Sequence, residues 1–306
     1  MEALLRHLLG EDPRATDVPD LNAWWDLHDE VRGRFDRPYE AAVAAGFRAD
    51  RLGYAFASGY VCALEHLLPD LQGAPAALAV TEAGGNRPRD IETTLTPEGD
   101  AFRLSGEKSF VTLGAAADQL VIVARDATER ERVSLVAVRI PRGRVGVTLE
   151  PCDPTAFVPE IPHSRAILAG VRVDPEERLP GDGYLTLMKP FRTVEDIHVH
   201  AAILGLLVRY GRVAVWPHGV IERLVAAIVA LGTVATLPPL ASTTHIALAG
   251  ILETTGRFLD GELPALAQQL DADTRDRLFR DAAIFGVAGK ARAQRRVTAW
   301  ASLAPA

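Results

Sequence analysis

The hydrophobic period of the chain changes twice along its 306 residues, and this change restricts the fold more than any other feature. Up to about residue 77, and again from about residue 184, apolar residues recur at the three- and four-residue spacing of amphipathic helices. Between these zones lie short segments rich in Val and Ile, such as QLVIVA and VSLVAVRI. The pattern predicts an α+β protein: an N-terminal helical domain (1–77), a central antiparallel β domain (78–183) and a C-terminal helical bundle (184–306).

Local signals place individual helices within the two helical zones. Asp20 precedes a periodic segment, where its carboxylate can accept hydrogen bonds from the first free N–H groups of a helix. Gly46 follows an alanine-rich segment and predicts the end of that helix. The stretch Leu224–Leu252 contains no charged residue, but two adjacent prolines divide it into pieces too short for a membrane helix. We therefore expect two buried helices of a bundle there.

Composition excludes several classes of protein. The net charge of −7 argues against a broad nucleic-acid surface. Cys62 and Cys152 lie far apart, which argues against a disulfide framework and a structural zinc site. The first residues lack the features of a secretion signal, so a cytoplasmic location is expected. A solvated helix face is a better interpretation than a phosphate-binding patch for the densest basic stretch, which contains Lys290, Arg292, Arg295 and Arg296.

The first strand of the β zone carries the most specific chemical signal. LAVTEAGGN ends an apolar run at Thr81 and turns through two glycines, which provides a hydroxyl, N–H groups and close backbone approach. GEKSFVT places Phe110 and Thr112 two residues apart, on one face of a strand. A ring and a hydroxyl on one face suit a flat cofactor that forms hydrogen bonds. Each segment alone is also typical of an ordinary strand with one buried and one exposed face.

Together and in order, TEAGGNR, TTLTPEGDAFRLSGEKSFVT, AAADQLVIVAR and VRVDPEERLPGDGYLTLMKPF resemble the middle domain of the acyl-CoA dehydrogenase family and its exit into a C-terminal bundle. The resemblance covers about residues 75–205 and implies FAD as cofactor. It further implies that Thr81 faces the pyrimidine edge of the flavin, Phe110 covers its ring system and Thr112 reaches towards N5. Asn86 stands where the family has a serine near the flavin pyrophosphate or the substrate.

The resemblance also implies a reaction, in which a glutamate removes the proton α to a thioester and the β-hydrogen passes to the flavin as hydride. The Tyr-Glu-Gly-Thr motif that carries this glutamate in most members is absent, so a shortened member is expected. A minority of the family has the glutamate on the first long helix after the β domain, ten residues before a glycine. Counting back from Gly205 gives Glu195, and a shift of one residue gives Asp196. The alternative is that both acids only stabilise a helix N-terminus.

A metal site is the competing interpretation of this segment. Glu195 and His198 form an E-x-x-H pair, which would share a helix face as in di-iron bundles. A di-iron site requires a second such pair, and the other match, Glu160 and His163, contains a proline inside the strand zone. We therefore predict no metal.

Two functions of different classes remain. The first is FAD-dependent α,β-dehydrogenation of an acyl thioester, carried by CoA or a carrier protein, with an unidentified electron acceptor. The second is a flavin-free scaffold or partner subunit that has the fold without the catalysis. The uncharged surface of Leu224–Leu252 predicts a homo-oligomer, as does assembly through this region in relatives. Neither nucleic acid nor membrane is an expected partner.

Overall fold

A computed structural model describes residues 1–14, 17–71, 73–129 and 133–304, and it confirms the α+β class. The chain forms two compact units. The helical unit comprises Met1–His66, Thr155–Pro159 and Thr193–Ala306, and the sheet unit comprises Leu67–Pro154 and Glu160–Arg192.

The helices are α1 (Glu2–Gly10), α2 (Leu21–Arg32), α3 (Pro38–Arg48), α4 (Leu52–Leu67), α5 (Lys189–Val213), α6 (His218–Val234), α7 (Ser242–Gly261), α8 (Leu263–Leu266), α9 (Ala272–Asp281) and α10 (Gly289–Leu303). The strands are β1 (Ala76–Ala79), β2 (Thr94–Glu98), β3 (Ala101–Thr112), β4 (Gln119–Asp126), β5 (Leu135–Pro141), β6 (Val147–Pro151) and β7 (His163–Val173).

The sheet unit is built on these seven strands, which lie in the order β1-β4-β2-β3-β7-β6, with β5 paired to β4. Most pairings are antiparallel, as the alternating segments predict, but β4 runs parallel to both β1 and β2. A core of Val, Leu, Ile and Ala side chains from all strands except β6 lies at or near zero exposure. Burial of this apolar surface is the main force that holds the strands together.

An irregularity in β3 determines which of its side chains reach solvent. The register of β3 against β7 shifts between Lys108 and Val111, as expected for a β-bulge. Because of this shift, Lys108 and Val111 are both buried although they are three residues apart. Phe110 and Thr112 consequently lie on the more exposed face.

In the helical unit, local sequence signals are confirmed at one position and corrected at another. The Asp20 carboxylate accepts a hydrogen bond from the N–H of Ala23 at 2.9 Å and caps α2 as predicted. The prediction that Gly46 ends its helix is wrong, because α3 continues to Arg48. Gly46 is instead required by close packing, as described next.

Three glycines bring the backbones of α3 and α4 into contact with that of α5. They are Gly46 in α3, Gly59 in α4 and Gly205 in α5. A Cβ atom built on them would lie 2.0 Å from Ala202 O, 2.6 Å from Val199 Cα and 2.3 Å from Val43 O, respectively. These separations are far below van der Waals contact, so no other residue fits at these positions without displacing a helix.

The charge-free stretch folds as two helices, α6 and α7, on either side of the prolines, as predicted. The two helices are less buried than expected, because only four residues of α7 are buried and much of the rest of this helix is exposed. No helix in the described parts of the chain is both long enough and apolar enough to cross a membrane.

Candidate functional site

The structure places Thr81, Phe110 and Thr112 close together in the sheet unit. The N–H and the Oγ of Ser109 donate to the carbonyl oxygen of Thr81 at 2.9 and 3.3 Å, which fixes the end of the first strand segment beside β3. The Phe110 side chain is 41% exposed. Thr81 and Thr112 are both partly exposed, and in the described part of the chain their hydroxyls have no hydrogen-bond partner. Three groups that can contact a flat ligand therefore lie on two neighbouring segments of the sheet unit.

His163 supports Phe110 from within the protein. Its imidazole ring stacks on the Phe110 ring with centroids 4.0 Å apart and planes inclined by 21°. His163 pairs with Thr112 across β7 and β3, and its Nδ1 has no hydrogen-bond partner among the described residues. Burial lowers the pKa of His163, so the ring is neutral at pH 7. From the sequence, His163 is considered only as part of a metal pair, which is rejected, and the stack is not predicted. The two rings are 53 positions apart, from 110 to 163, and the pairing of β3 with β7 brings them together.

Glu82, the acid that follows Thr81, forms a buried ion pair with Lys108. The Lys108 Nζ is 2.6 Å from Glu82 Oε1 and also donates to the carbonyl oxygens of Val123, at 2.6 Å, and Val80, at 3.3 Å. Lys108 has no solvent exposure, and Glu82 has 8%. The side chain of one lysine, Lys108 in β3, therefore joins the Thr-Glu-Ala-Gly-Gly segment to β4.

The remaining donors around Glu82 fix the opposite side of the loop. Its carboxylate accepts hydrogen bonds from the N–H of Glu92 at 2.6 Å, and from the N–H and the Oγ1 of Thr93 at 3.1 and 2.7 Å. Burial alone would raise the pKa of Glu82, but Lys108 and these donors hold the pKa below its ordinary value. Burial lowers the pKa of Lys108 to about 8, which leaves it protonated at pH 7. Both groups are thus charged, and the pair is structural.

Asn86 lies on the exposed surface of the same loop. The Nη2 of Arg192 donates to its backbone carbonyl oxygen at 3.0 Å and to its side-chain oxygen at 3.3 Å. Its amide oxygen therefore already has a partner, unlike the hydroxyls of Thr81 and Thr112. The NH₂ group of Asn86 is the part of the side chain that can donate to a ligand.

Glu195 and Asp196 lie next to each other on α5 and differ in their surroundings. Asp196 is 9% exposed, and its carboxylate accepts from Arg292 at 3.4 Å and from Arg295 by a short hydrogen bond. Glu195 is partly exposed. Two guanidinium groups therefore hold Asp196 as an ion-pair partner and occupy its carboxylate oxygens.

The same contacts correct the interpretation of the basic stretch. Lys290 is exposed, and so is Arg296, with 51% side-chain exposure. Arg292 and Arg295 are only 17% and 19% exposed, and both pair with Asp196. A solvated helix face was thus the wrong prediction for the two arginines that join α10 to α5.

His198, the second member of the E-x-x-H pair, is a buried core residue. Its Nδ1 lies 2.8 Å from the carbonyl oxygen of Val194, and its ring meets Tyr39 and His66 edge to face. Burial lowers its pKa to about 3. Within the described ranges, no three His, Cys, Asp or Glu side chains converge as a metal site would require.

The donor set in the sheet unit fits a flavin. An isoalloxazine ring has a flat apolar face and an edge of hydrogen-bonding atoms, and the exposed Phe110 ring and the two unpartnered hydroxyls match these. The exposed turn at Gly84 allows close approach of the backbone. Thr81, Phe110 and Thr112 would hold the ring system, with Asn86 further along the loop.

The segment that forms the sheet matches a known protein family. Residues 77–171 match the family model "Acyl-CoA dehydrogenase, middle domain". The 3-(aryl)acrylate reductase of Clostridium sporogenes (strain ATCC 15579) is 29% identical over 147 residues, which cover 46% of this chain and 38% of that protein. The matched segment thus spans well under half the length of this curated relative.

Solved structures show the same fold over nearly the whole chain. Butyryl-CoA dehydrogenase from Megasphaera elsdenii superposes with a TM-score of 0.67 at 17% identity, covering 92% of this chain and 90% of that one. A structure described as an FAD-dependent dehydrogenase superposes with a TM-score of 0.69 at 19% identity and covers 93% of both chains. Residues 77–171 thus match the middle domain of the acyl-CoA dehydrogenase family, and the chain shares the fold of these solved structures.

Proposed function

We propose that this protein is an FAD-dependent oxidoreductase of the acyl-CoA dehydrogenase type, which introduces an α,β double bond into an acyl thioester. The observation that carries the proposal is the pair of unpartnered hydroxyls, of Thr81 and Thr112, beside the exposed Phe110 ring. When bound, FAD would supply the acceptor for the hydride that leaves the β-carbon of the substrate. The flavin-free scaffold is the alternative, and it leaves this donor set without a use.

The sheet residues bind and orient the cofactor. The hydroxyls of Thr81 and Thr112 would donate hydrogen bonds to the flavin edge, and the Phe110 ring would cover one face and exclude water from it. The stack on His163 restricts rotation of the Phe110 ring. The Glu82–Lys108 pair holds the strand that carries Phe110 beside the loop that carries Thr81. The site is thus organised before the cofactor binds, which reduces the entropy lost on binding.

We assign the catalytic base to Glu195. The base must accept the α-proton of the thioester, and a carboxylate that is already bonded to two arginines is a poor acceptor. This argument disfavours Asp196, whose carboxylate pairs with Arg292 and Arg295. Glu195 would take the α-proton, and the cofactor would supply the acceptor for the second hydrogen and the two electrons, which balances formation of the double bond.

The proposed substrate is an acyl thioester carried by CoA or by a carrier protein, and the electron acceptor is a separate redox partner. The same residues serve the reverse reaction, reduction of an α,β double bond, which is the direction in which the Clostridium sporogenes relative is named. The comparison with butyryl-CoA dehydrogenase supports a thioester substrate.

Flavin binding and flavin reduction test the two halves of this proposal in one experiment. The purified protein is titrated with FAD, and the bound flavin is then mixed anaerobically with acyl thioesters while its absorbance is followed. We expect Thr112→Val to weaken FAD binding by about 3- to 10-fold, the effect of one hydrogen bond. Thr96→Val, on an exposed position of β2, is the matched control and should bind FAD like the parent.

The second half concerns the base. Glu195→Gln keeps the shape of the side chain but cannot accept the proton, so FAD should bind normally while bleaching by substrate slows by about 100-fold or more. Asp196→Asn should retain bleaching close to that of the parent. Slow bleaching in Asp196→Asn with normal bleaching in Glu195→Gln would move the base to Asp196. A parent protein that binds no FAD would refute the proposed function and favour the scaffold.

A further inference from the structure

A cavity of about 570 Å³ lies in the helical unit and is lined by residues of α5, α7, α8, α9 and α10. Most of its wall is apolar, including the side chains of Leu252, Leu259, Leu263, Leu278, Phe279 and Phe285. Phe279 is 42% exposed, so the cavity is open to solvent on that side. Small-molecule sites in proteins have volumes of about 300–1,000 Å³ and combine an apolar wall with a few polar groups. The cavity meets the first of these conditions.

Two of the polar groups in the wall, His200 and Arg292, contact each other. The Nδ1 of His200 donates to the carbonyl oxygen of Asp196 at 2.7 Å, and burial lowers the pKa of this ring. The ring is therefore neutral, and its Nε2 accepts from Nη1 of Arg292 at 3.2 Å. Nη2 of Arg292 donates to the carbonyl oxygens of Phe285 and Val287, at 3.0 and 2.6 Å. Among the described residues, its Nε–H has no acceptor.

The acid beside these groups does not balance their positive charge. Oδ1 of Asp196 lies 3.4 Å from Nη1 of Arg292, and Oδ2 accepts a short hydrogen bond from Arg295. In the parts of the chain that the structure describes, neither arginine has a second carboxylate within ion-pair distance. Because His200 is neutral, this group carries one net positive charge. Asp260 also lines the cavity, but it is exposed, so solvent screens its charge.

We propose that the cavity binds a small apolar carboxylate, with its hydrocarbon part against the leucine and phenylalanine side chains and its carboxylate at Arg292. The free Nε–H of Arg292 donates to the carboxylate, and the net positive charge favours an anion over a neutral molecule. The hydrocarbon part removes apolar wall from water. All lining residues belong to the helical unit, and none of them has a role in the proposed oxidation.

Octanoate and 3-phenylpropanoate are the probes, because they separate an aliphatic from an aromatic ligand. Each is titrated into the full-length protein by isothermal calorimetry at constant ionic strength, without FAD or a thioester, so the result is independent of the proposed oxidation. The matched alcohols, 1-octanol and 3-phenylpropanol, lack the charge, and acetate lacks the apolar part. We expect saturable one-to-one binding of at least one probe. Its alcohol should bind about 10-fold more weakly or worse, the scale of a hydrogen bond to a charged group, and acetate should not bind.

Gly256 tests the location of the site. It lines the cavity on α7, and a Cβ atom built on it has no atom within 4 Å outside its own helix. Gly256→Leu therefore adds a side chain in open space, and it should weaken binding of the probe by about 10-fold or more because the leucine occupies volume that the ligand needs. Gly250→Leu is the matched control, since Gly250 has the same open space on α7 but lies outside the cavity wall, and it should bind like the parent.

Arg292→Met tests the carboxylate contact. Binding of the probe should fall to that of its alcohol, while binding of the alcohol changes little. Arg296→Met, which removes a 51% exposed arginine from the same helix, should bind like the parent. Absence of binding by both probes, equal binding of a probe and its alcohol, or unchanged binding in Gly256→Leu would overturn the proposal. If Arg292→Met does not fold, Gly256→Leu and the comparison of probe with alcohol in the parent decide.

Discussion

Replacement of Lys108 by methionine should destabilise the sheet unit by about 3 kcal/mol. The change removes a fully buried ammonium and its three hydrogen bonds, to Glu82 and to the carbonyl oxygens of Val80 and Val123. Loss of one partner of a buried ion pair costs about 3–5 kcal/mol, because the other charge stays buried. We take the lower end, since Glu82 keeps three donors from Glu92 and Thr93.

Hydrogen exchange is the appropriate measurement. The chain has four tryptophans, Trp24, Trp25, Trp216 and Trp300, and all lie outside the sheet unit, so intrinsic fluorescence does not report on it. Amides of β3 and β7 that exchange through opening of the sheet should exchange about 150-fold faster, since each 1.36 kcal/mol is a factor of ten. In Lys108→Met, hydrogen exchange of peptides from α2 should change little. The control Lys290→Met, at an exposed position, should change exchange neither in the sheet strands nor in α2.

A double-mutant cycle and a pH series test the physical reason. Glu82→Gln with Lys108→Met should cost less than the sum of the single changes, because each single change leaves one charge unpaired. Because the pKa of Glu82 is lowered in the folded protein, its carboxylate contributes stability at pH values above 4.5, the pKa of the unfolded state. That contribution is lost as the pH falls through the folded pKa, so the parent and Glu82→Gln should converge in acid. Unchanged exchange in Lys108→Met, or strictly additive costs, would refute the argument.

Two further predictions concern the helical unit. Gly46→Ala should destabilise it by about 3 kcal/mol in urea unfolding followed by tryptophan fluorescence, since the new Cβ meets a backbone carbonyl. Gly250→Ala, in open space on α7, should instead be neutral or stabilise by up to about 1 kcal/mol, and equal effects would contradict the steric argument. Val297, Trp300 and Leu303 are 63%, 57% and 51% exposed on α10, so light scattering should detect self-association that Trp300→Glu weakens. A monomer at all micromolar concentrations would count against it.

The parts of the fold that depend on local pattern could be predicted from the sequence. Hydrophobic period separates the strands β1–β7 from the helices, and the carboxylate of Asp20 marks the start of α2 because capping is a contact over three residues. Gly46 shows the limit of the method. A glycine at a helix end and a glycine at a helix contact look the same in sequence, and only the position of Ala202, 156 residues later, distinguishes them.

In the candidate site, too, local features could be predicted from the sequence and long-range contacts could not. The i, i+2 relation of Phe110 and Thr112 is local and could be read from the sequence. The Glu82–Lys108 pair joins residues 26 positions apart, and the stack of Phe110 on His163 depends on the pairing of β3 with β7. Such contacts arise from tertiary packing, so one sequence without a fold gives no physical basis for predicting them.

The glycine contacts between α3, α4 and α5 also restrict how the helical unit can move. Packed helices usually adjust by sliding along each other in small steps, which requires flexible side chains at the contact. Here backbone meets backbone at Gly46, Gly59 and Gly205, so a slide of one residue, 1.5 Å, would bring a side chain into the space that a glycine leaves. Shear between these helices is therefore blocked. Glu195 can change its position against them only by side-chain rotation, and the reach of its carboxylate is set by three torsion angles.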